Sequence, residues 1–278
     1  MILVVYSRVD PASSNIGKSL VELIDFDLMK RGDYTFYVSS NMAVAETNEN
    51  LIFADYIDLK LSKYLEFDEI IFVSRHSSKD GRKIFTAHVS GNVSEAKYGG
   101  KPSSLARASP LTIKNYVLAL KSRIHTKPEF EFTLEATHHG PSEIQKPSAF
   151  FEIGSTEKEW RDKEAARIVA ESIIDAINSQ RRDWLVAVGI GGTHYVPRQT
   201  DLILSTKFTF GHNFAKYSYE SLNPKIVLRG VSLSNAKYII YDEKSVNSKI
   251  KNLISKVAEE GNLKVMKSKK ARREYPLE

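Results

Sequence analysis

The sequence has 278 residues, of which 42% are hydrophobic and 27% are charged, a composition that excludes a disordered chain and favours one large folded body. No stretch approaches the ~18 uninterrupted apolar residues that a membrane helix needs, and no signal-peptide pattern opens the chain, so we expect a cytoplasmic protein with no membrane partner. Cysteine is absent, which excludes disulfides, thiol nucleophiles and thiolate metal ligands.

The net charge of +6 is concentrated near the end of the sequence. The last seventeen residues contain six basic and two acidic side chains. We therefore predict an α/β body over residues 1–261 and a basic C-terminal tail over 262–278. Such a segment is typical of a frayed, solvated end, and also of a contact with nucleic-acid phosphates, which gives salt-dependent affinity without sequence choice.

Short apolar runs alternate with amphipathic stretches along the chain. This pattern predicts an α/β fold with a largely parallel or mixed central sheet and helices on both faces. Several runs are apolar on both faces, as a covered sheet requires. The predicted strands, in chain order, are Ile2–Tyr6, Thr35–Val38, Glu69–Ser74, Ile84–Val89, Phe130–Thr137, Ala149–Ile153, Trp184–Ile190, Lys225–Val231 and Tyr238–Tyr241.

Three helices are predicted from capping residues and apolar spacing. Ser109 and Pro110 indicate the start of a helix that runs to about residue 124. The capping box Thr156-x-x-Glu159 begins a second helix that ends near residue 177. A third spans 245–259, with apolar residues on one face. The aromatic-rich segment 206–221 breaks the alternation, and its structure is left open.

Histidine-containing clusters follow three of the apolar strands directly. They contain His76, the pair His138 and His139, and His194. If the strands are parallel neighbours, the clusters emerge at one carboxyl edge of the sheet, where open α/β sheets place their sites. His212 is a further candidate for the same edge.

This set offers imidazoles and carboxylates without sulfur, which is the ligand chemistry of a hydrolytic zinc centre. We predict zinc as cofactor, held by two or three of the five histidines. Either Glu135 or Glu143 serves as ligand or general base. The Gly191-Gly192 turn offers backbone N–H groups that could stabilise an oxyanion.

Other interpretations of the histidines stay open at this point. Adjacent residues that leave a strand point to opposite faces, so one structural and one site histidine at His138-His139 is as well supported as ligation by both. His88 and His125 have no cluster around them and are predicted to be ordinary strand and helix-end residues.

Four strings in the sequence resemble the archaeal and plant type of D-aminoacyl-tRNA deacylase. The likeness extends from the first strand to about Tyr241, and Thr-His-His-Gly-Pro is its most specific motif. The strings are Val73-Ser-Arg-His76-Ser-Ser, Glu135-Ala-Thr-His138-His139-Gly-Pro-Ser-Glu143, Gly189-Ile-Gly-Gly-Thr-His194-Tyr and Gly211-His212.

The resemblance implies hydrolysis of the ester that joins a D-amino acid to the 3′ end of tRNA, with zinc as cofactor. It also implies a single-chain α/β body of the phosphorylase and hydrolase type, and we expect a monomer. Basic residues would contact the tRNA, although a loop arginine is more typical of a salt bridge. These predicted contacts are Arg75, Lys101, Arg198, Lys267, Lys269, Lys270, Arg272 and Arg273.

Two further hypotheses belong to other classes. One is a phosphorylase-like or peptidase-like metallohydrolase that acts on a small molecule, for which tRNA affinity would not show a steep salt dependence. The other is a non-catalytic RNA-binding module with structural histidines, which metal analysis and a chelator test on ester hydrolysis would distinguish.

Overall fold

The structure is a computed structural model that describes residues 1–179 and 183–277. Its strands are β1 Ile2–Ser7, β2 Asp27–Arg31, β3 Tyr34–Val38, β4 Met42–Thr47, β5 Glu69–Arg75, β6 Ile84–His88, β7 Gly91–Asn92, β8 Ser104–Leu105, β9 Glu131–Leu134, β10 Ser148–Gly154, β11 Leu185–Ile190, β12 Phe208–Phe214, β13 Tyr238–Tyr241 and β14 Lys264–Lys267. Its α-helices are α1 Pro11–Leu23, α2 Ile57–Leu61, α3 Pro110–Arg123, α4 Glu157–Trp160, α5 Lys163–Asn178, α6 Pro197–Ser205, α7 Pro224–Ser234, α8 Ser248–Gly261 and α9 Ser268–Glu274.

Eight strands form the larger sheet, in the order β2-β3-β4-β1-β5-β10-β6-β9. At its centre, β4, β1, β5 and β10 are parallel. β6 runs antiparallel to β10, and β9 runs parallel to β6. At the other edge, β2 and β3 form an antiparallel hairpin beside β4. The sheet is therefore mixed with a parallel centre, which confirms the predicted α/β class.

The two faces of this sheet lie in different cores. Val4 and Tyr6 of β1 pack with α1, α3 and α5, whereas Leu3 and Val5 lie in the core that α2 covers. This alternation follows from the period of two along a strand. Helices therefore lie on both faces, as predicted, and the face opposite α1, α3 and α5 is the one that carries the site described below.

The smaller sheet has the order β12-β11-β13-β14 and is entirely parallel. Its last strand corrects the prediction of a basic tail over 262–278. β14 extends this sheet, α9 follows it, and Met266 and Ala271 are buried. The segment folds because apolar side chains alternate with its lysines and arginines, so the basic groups face solvent while the chain packs on the body.

Most predicted elements are present, and the exceptions have local causes. Residues 225–231 were predicted as a strand, but they lie in α7. Asn223 caps this helix by accepting a hydrogen bond from the Ile226 N–H, and Pro224 occupies its first turn, a start signal that favours helix. The helix predicted over 156–177 is two helices, because Asp162 caps α5 after a break. The open segment 206–221 contains β12.

Candidate active site

The site is built on β5, β10 and β6, at the face opposite α1. The register places Glu152 of β10 beside Ser74 and Thr86 on its two neighbours. Both hydroxyls donate to the Glu152 carboxylate, at 2.5 and 3.2 Å. His88, two residues beyond Thr86, stacks on Phe150 with 5.3 Å between ring centroids. A buried carboxylate and a buried imidazole therefore share this face.

Two loops bring the other groups over the same face. The loop after β9 carries Glu135, His138 and His139, and the loop after β11 carries His194. The Ala136 N–H donates to the His194 carbonyl at 2.7 Å, which holds the two loops together. The predicted convergence is thus confirmed, but its predicted geometry is wrong. β9 runs opposite to β5 and β11 belongs to the second sheet, so the groups meet over a sheet face rather than at one carboxyl edge.

Three imidazoles form the densest part of the site. The Nε2 atoms of His88 and His139 lie 3.1 Å apart, and the ring centroids of His138 lie 4.5 Å from His88 and 4.3 Å from His139. His139 has a φ of +43°, in the left-handed region that non-glycine residues rarely adopt. Because this conformation turns the ring back toward its neighbour, both adjacent histidines point into one site.

The hydrogen bonds of this pair determine which ring nitrogen can bind a cation. His138 Nδ1 donates to the Ala136 carbonyl at 2.9 Å, and His139 Nδ1 donates to the Gly140 carbonyl at 2.6 Å. A carbonyl only accepts, so the lone pair of each neutral ring lies on Nε2. Burial and the neighbouring histidines hold the pKa of His138 well below its usual value and lower the pKa of His139 to about 3. Both rings are therefore neutral at pH 7, as metal ligation requires.

Glu135 lies at the centre of the site and is fully buried. Its carboxylate is 2.7 Å from His194 Nε2, 3.1 Å from His76 Nδ1 and 3.3 Å from His88 Nδ1. Burial opposes ionisation, but the hydrogen bond from His194 and the nearby rings of His76 and His88 hold the pKa of Glu135 well below its usual value. The site thus contains a permanent negative charge surrounded by imidazoles.

His76 lies between two carboxylates. Its Nδ1 is 3.1 Å from Glu135 and 3.7 Å from Glu152, and its Nε2 is 3.1 Å from the Tyr195 hydroxyl. Burial opposes protonation, but the two carboxylates raise the pKa of His76 to about 11. The protonated ring therefore balances part of the buried negative charge.

Two cavities open on the cluster from different sides. The first, of about 480 Å³, is lined by Asp10, Leu51, Arg75, His76 and Glu152 among others. The second, of about 370 Å³, is lined by Val93, Lys97, Thr137 and Tyr217 among others. Four residues line both cavities, namely Tyr98, His138, His139 and His194. Both volumes fall within the range of about 300–1,000 Å³ that is usual for ligand sites.

A model of the D-aminoacyl-tRNA deacylase family matches residues 63–266 of the chain. A D-aminoacyl-tRNA deacylase of Archaeoglobus fulgidus is 58% identical over the whole of both chains. The chain belongs to the D-aminoacyl-tRNA deacylase family. The deacylase of Methanosarcina mazei is 37% identical over all of this chain and 95% of that protein. A crystal structure described as a conserved protein of unknown function is 58% identical, with a TM-score of 0.99 over 100% of this chain and 99% of that chain.

In this member of the deacylase family, His88 and Glu152 are site residues that sequence analysis missed. His88 was interpreted as an ordinary strand residue, yet it belongs to the group His88, His138 and His139, whose candidate ligand atoms lie within 4.8 Å of one another. The available signal was alternation along β6, which places the polar pair Thr86 and His88 on one face and Phe85 and Ala87 in the core. His125 lies in a short exposed helical turn over Ile124–Thr126, as predicted.

His212 is not a metal ligand in this structure, contrary to the prediction. Its Nε2 donates to the Ala106 carbonyl at 2.9 Å, and its Nδ1 accepts from the Thr137 hydroxyl at 3.0 Å. Both ring nitrogens are therefore engaged, and the ring is fully buried. It positions the loop that carries His138 and His139 and contributes no free lone pair.

Burial lowers the pKa of His212 from 6.5 to about 4, which gives a pH-dependent prediction. In the unfolded chain His212 takes up a proton below pH 6.5, whereas in the folded chain it stays neutral down to about pH 4. Its contribution to the free energy of unfolding is therefore complete above pH 6.5 and decreases as pH falls. We expect metal-free wild type to lose about 2 kcal/mol more unfolding free energy between pH 7.5 and 5 than His212→Gln does. Urea unfolding at both pH values measures this, and parallel losses would contradict it.

Two other predicted groups lie outside the catalytic cluster. Glu143 accepts from the hydroxyls of Ser104 at 2.6 Å and Tyr56 at 3.1 Å, and it pairs with Lys101 at 3.3 Å. The hydrogen bond from Ser104 and the Lys101 ammonium lower its pKa. Its carboxylate contacts none of the site histidines, so Glu135 alone of the two predicted carboxylates belongs to the site.

The predicted oxyanion turn at Gly191 and Gly192 is also wrong. The Gly191 N–H donates to the Phe214 carbonyl at 2.9 Å, and the Gly192 N–H donates to Ser245 Oγ at 2.9 Å. Neither donor is available to a ligand, because both hold the loop after β11 against other parts of the smaller sheet, at the end of β12 and after β13. The glycines are needed there for φ values of +112° and +88°.

The predicted tRNA contacts are distributed over the surface, and several pair with acids. Arg75 lines the first cavity and lies over the Trp160 ring at 5.2 Å. Arg198 lies 4.0 Å from Asp242, and Lys101 pairs with Glu143 as described. In the C-terminal group, Arg272 pairs with Asp201, and Lys270 and Arg273 lie beside Glu274. Exposed pairs contribute only about 0–1 kcal/mol, so a phosphate could replace the acid.

No helix in residues 1–179 or 183–277 combines the length and apolar character needed to cross a membrane.

Proposed function

We propose that this chain hydrolyses the ester bond of D-aminoacyl-tRNA and that it does so with a zinc ion held by His88, His138 and His139. The family assignment supports the substrate. The donor set supports the metal, because three imidazoles without sulfur suit zinc in a site that keeps an open position. The single observation that carries the proposal is the convergence of these three rings beside two cavities.

Unsatisfied atoms also fit a cation at this place. His88 Nδ1 and Glu135 Oε2 are buried and make no hydrogen bond, although they lie 3.3 Å apart. The Nε2 atoms of His88 and His139 lie 3.1 Å apart, so there is room for only one proton between them. A cation that accepts the Nε2 lone pairs of His88 and His139 would leave the His88 proton on Nδ1, where it faces Glu135 Oε2. All of these groups would then be satisfied together. When bound, zinc would polarise the ester carbonyl and lower the pKa of a bound water to about 7.

His194 is placed to move the proton in this reaction. Its Nε2 faces Glu135 at 2.7 Å, and its Nδ1 has no hydrogen-bond partner among the described residues. The side chain is more than one-third exposed and lines both cavities. Nδ1 would take the proton of the attacking water and return it to the departing ribose oxygen, while Glu135 stabilises the imidazolium.

The other residues of the site hold this arrangement in place. The Nδ1 atom of protonated His76 lies 3.1 Å from Glu135 and 3.7 Å from Glu152, so its positive charge attracts both carboxylates and keeps them oriented. The predicted basic surface would contact tRNA phosphates, a sequence-independent term that weakens with salt. The small-molecule and RNA-module hypotheses receive no support from the family assignment, since the family model and the relatives are D-aminoacyl-tRNA deacylases.

The deciding experiment compares D- and L-aminoacyl-tRNA with and without a chelator. We expect release of the D-amino acid by the purified chain, loss of this activity after chelation, and recovery when zinc is returned, because the three ligands alone cannot activate water. Metal analysis of the same sample measures zinc per chain. Full activity after removal of all bound metal would refute the metal proposal, and equal rates with L-aminoacyl-tRNA would refute the chiral substrate.

A further inference from the structure

Two exposed tyrosines line the second cavity beside the histidine cluster. Tyr98 is 67% exposed and Tyr217 is 59% exposed. Single exposed aromatic residues are common on protein surfaces. Two of them beside one candidate catalytic centre provide flat faces on which a planar ligand can stack.

The backbone under Tyr98 is held tightly although its ring is exposed. The Gly140 N–H donates to the Tyr98 carbonyl at 2.9 Å, and Asn92 Nδ2 donates to the Gly99 carbonyl at 2.9 Å. A Cβ atom on Gly99 would lie 1.8 Å from the Ile52 carbonyl oxygen, so only glycine permits this close packing. The exposed ring is therefore presented from a fixed position, which reduces the entropy lost when a ligand binds.

The ring of Tyr217 lies beside that of His194, the proposed proton-transfer residue. The two rings are nearly parallel, with 6.3 Å between centroids and 29° between planes. Tyr217 lies in a short helical turn that is anchored by a hydrogen bond from the Lys216 N–H to the Gly192 carbonyl at 3.0 Å. A flat group stacked on Tyr217 would therefore lie next to the reacting centre.

The charges around this cavity suit a phosphodiester. Lys97 and Glu95 line it, and Lys216 is exposed beside Tyr217. Lys97 pairs with Glu95 at 3.4 Å, but both side chains are more than 70% exposed, so this pair is weak. Aromatic rings interleaved with lysines are the usual surface for single-stranded nucleic acid.

The first cavity has different chemistry. Its lining includes the carboxylates of Asp10 and Glu152, the apolar residues Leu51 and Ile52, and the basic side chains of Arg75 and His76. The carboxylates suit an ammonium group, and the apolar residues suit an apolar side chain. An aminoacyl ester has such an ammonium beside its carbonyl. The ester bond joins the amino acid to the nucleotide. With one group in each cavity, this bond would lie beside His138, His139 and His194, which line both cavities.

We infer that the cavity between Tyr98 and Tyr217 binds the terminal nucleotide of tRNA, with its adenine stacked on the tyrosine rings, and that the first cavity receives the D-aminoacyl group. This inference rests on the proposed function and adds the division of its substrate between the cavities. The tyrosines act by binding through their ring faces, so their hydroxyls are dispensable.

The test compares four variants, Tyr98→Ala, Tyr217→Ala, Tyr217→Phe and Tyr64→Ala, on D-tyrosyl-tRNA and D-aspartyl-tRNA. Tyr64 is 41% exposed and packs on Tyr34 away from both cavities. We expect each alanine at Tyr98 or Tyr217 to raise KM about 10- to 100-fold for both substrates, because one stacking contact is lost. Tyr64→Ala should match wild type, and Tyr217→Phe, which keeps the ring face, should raise KM far less than Tyr217→Ala does. Adenosine alone should compete with the substrate for wild type and not for Tyr217→Ala.

Several outcomes would overturn the inference. Unchanged KM and unchanged adenosine competition in both alanine variants would remove the tyrosines from binding. A loss confined to D-tyrosyl-tRNA would mean that the rings contact the amino-acid side chain instead. If wild type releases no D-amino acid from tRNA, the proposed function fails, while direct adenosine binding to wild type and to Tyr217→Ala still tests the nucleotide cavity independently. Thermal unfolding of each variant verifies that the fold is retained.

Discussion

We expect Glu135→Gln to lower kcat for D-aminoacyl-tRNA hydrolysis by about 10²- to 10⁴-fold. The carboxylate faces His194, His76 and His88 at once. An amide has nearly the same shape but no charge, so it cannot stabilise the imidazolium that forms when His194 accepts a proton. It also presents an N–H to one of the imidazoles, which favours the wrong tautomer at that ring.

Single-turnover kinetics at saturating enzyme measure this loss as an effect on the chemical step. Glu143→Gln is the matched control, because it is the other carboxylate in the same motif and it contacts Ser104, Tyr56 and Lys101 instead of histidine. We expect this control to retain kcat within a few-fold. The reverse pattern, with Glu143→Gln inactive and Glu135→Gln active, would show that Glu143 and not Glu135 is the carboxylate that the reaction needs.

Sequence analysis could predict the convergence of the histidine groups because each follows an apolar strand, and strand ends in α/β folds gather polar residues. It could not predict how they converge. Strand direction depends on pairing with distant segments, and only those pairings make β6 run antiparallel to β10 and parallel to β9. The positive φ of His139 is likewise set by the tertiary structure, and it decides that both adjacent histidines face the site.

Hydrogen bonds made by distant residues explain the other wrong site predictions. A Gly-Gly turn after a strand is a typical anion site in sequence, but Ser245 and Phe214 occupy its donors. His212 follows Gly211 and was predicted to lie at the same edge as His194, but the Ala106 carbonyl and Thr137 hydroxyl satisfy both of its nitrogens. In each case the residue type suited the predicted role. A partner that is remote in sequence, however, occupies the N–H group or ring nitrogen that the role would need.

The basic C-terminal segment shows how composition alone misplaces a fold boundary. Charge density predicted a solvated tail, whereas the three apolar positions Met266, Ala271 and Tyr275 attach it to the body. Few apolar residues suffice because β14 also gains backbone hydrogen bonds from β13. The charge therefore belongs to a folded surface with fixed positions for its basic groups.

We expect His88→Asn to weaken zinc binding strongly, because it removes a proposed ligand. Loss of a hydrogen bond that only supports a ligand costs about 10- to 100-fold in affinity, and we expect a larger loss here. His88 is buried and its two ring nitrogens face His139 and Glu135. Asparagine keeps a polar group of moderate size but cannot place a lone pair where the imidazole does. Deacylation at low zinc should fall with the bound metal and recover partly at high zinc.

His212→Asn is the matched control for this prediction, since both histidines are fully buried and near the same loop. It should lower the free energy of unfolding through two lost hydrogen bonds while leaving the zinc content per chain unchanged. The two variants thus separate metal binding from folding. If both lose zinc equally, the buried histidines act through the loop rather than as ligands. If His88→Asn keeps its zinc and its activity, His88 is structural, and the sequence-based interpretation of it was right.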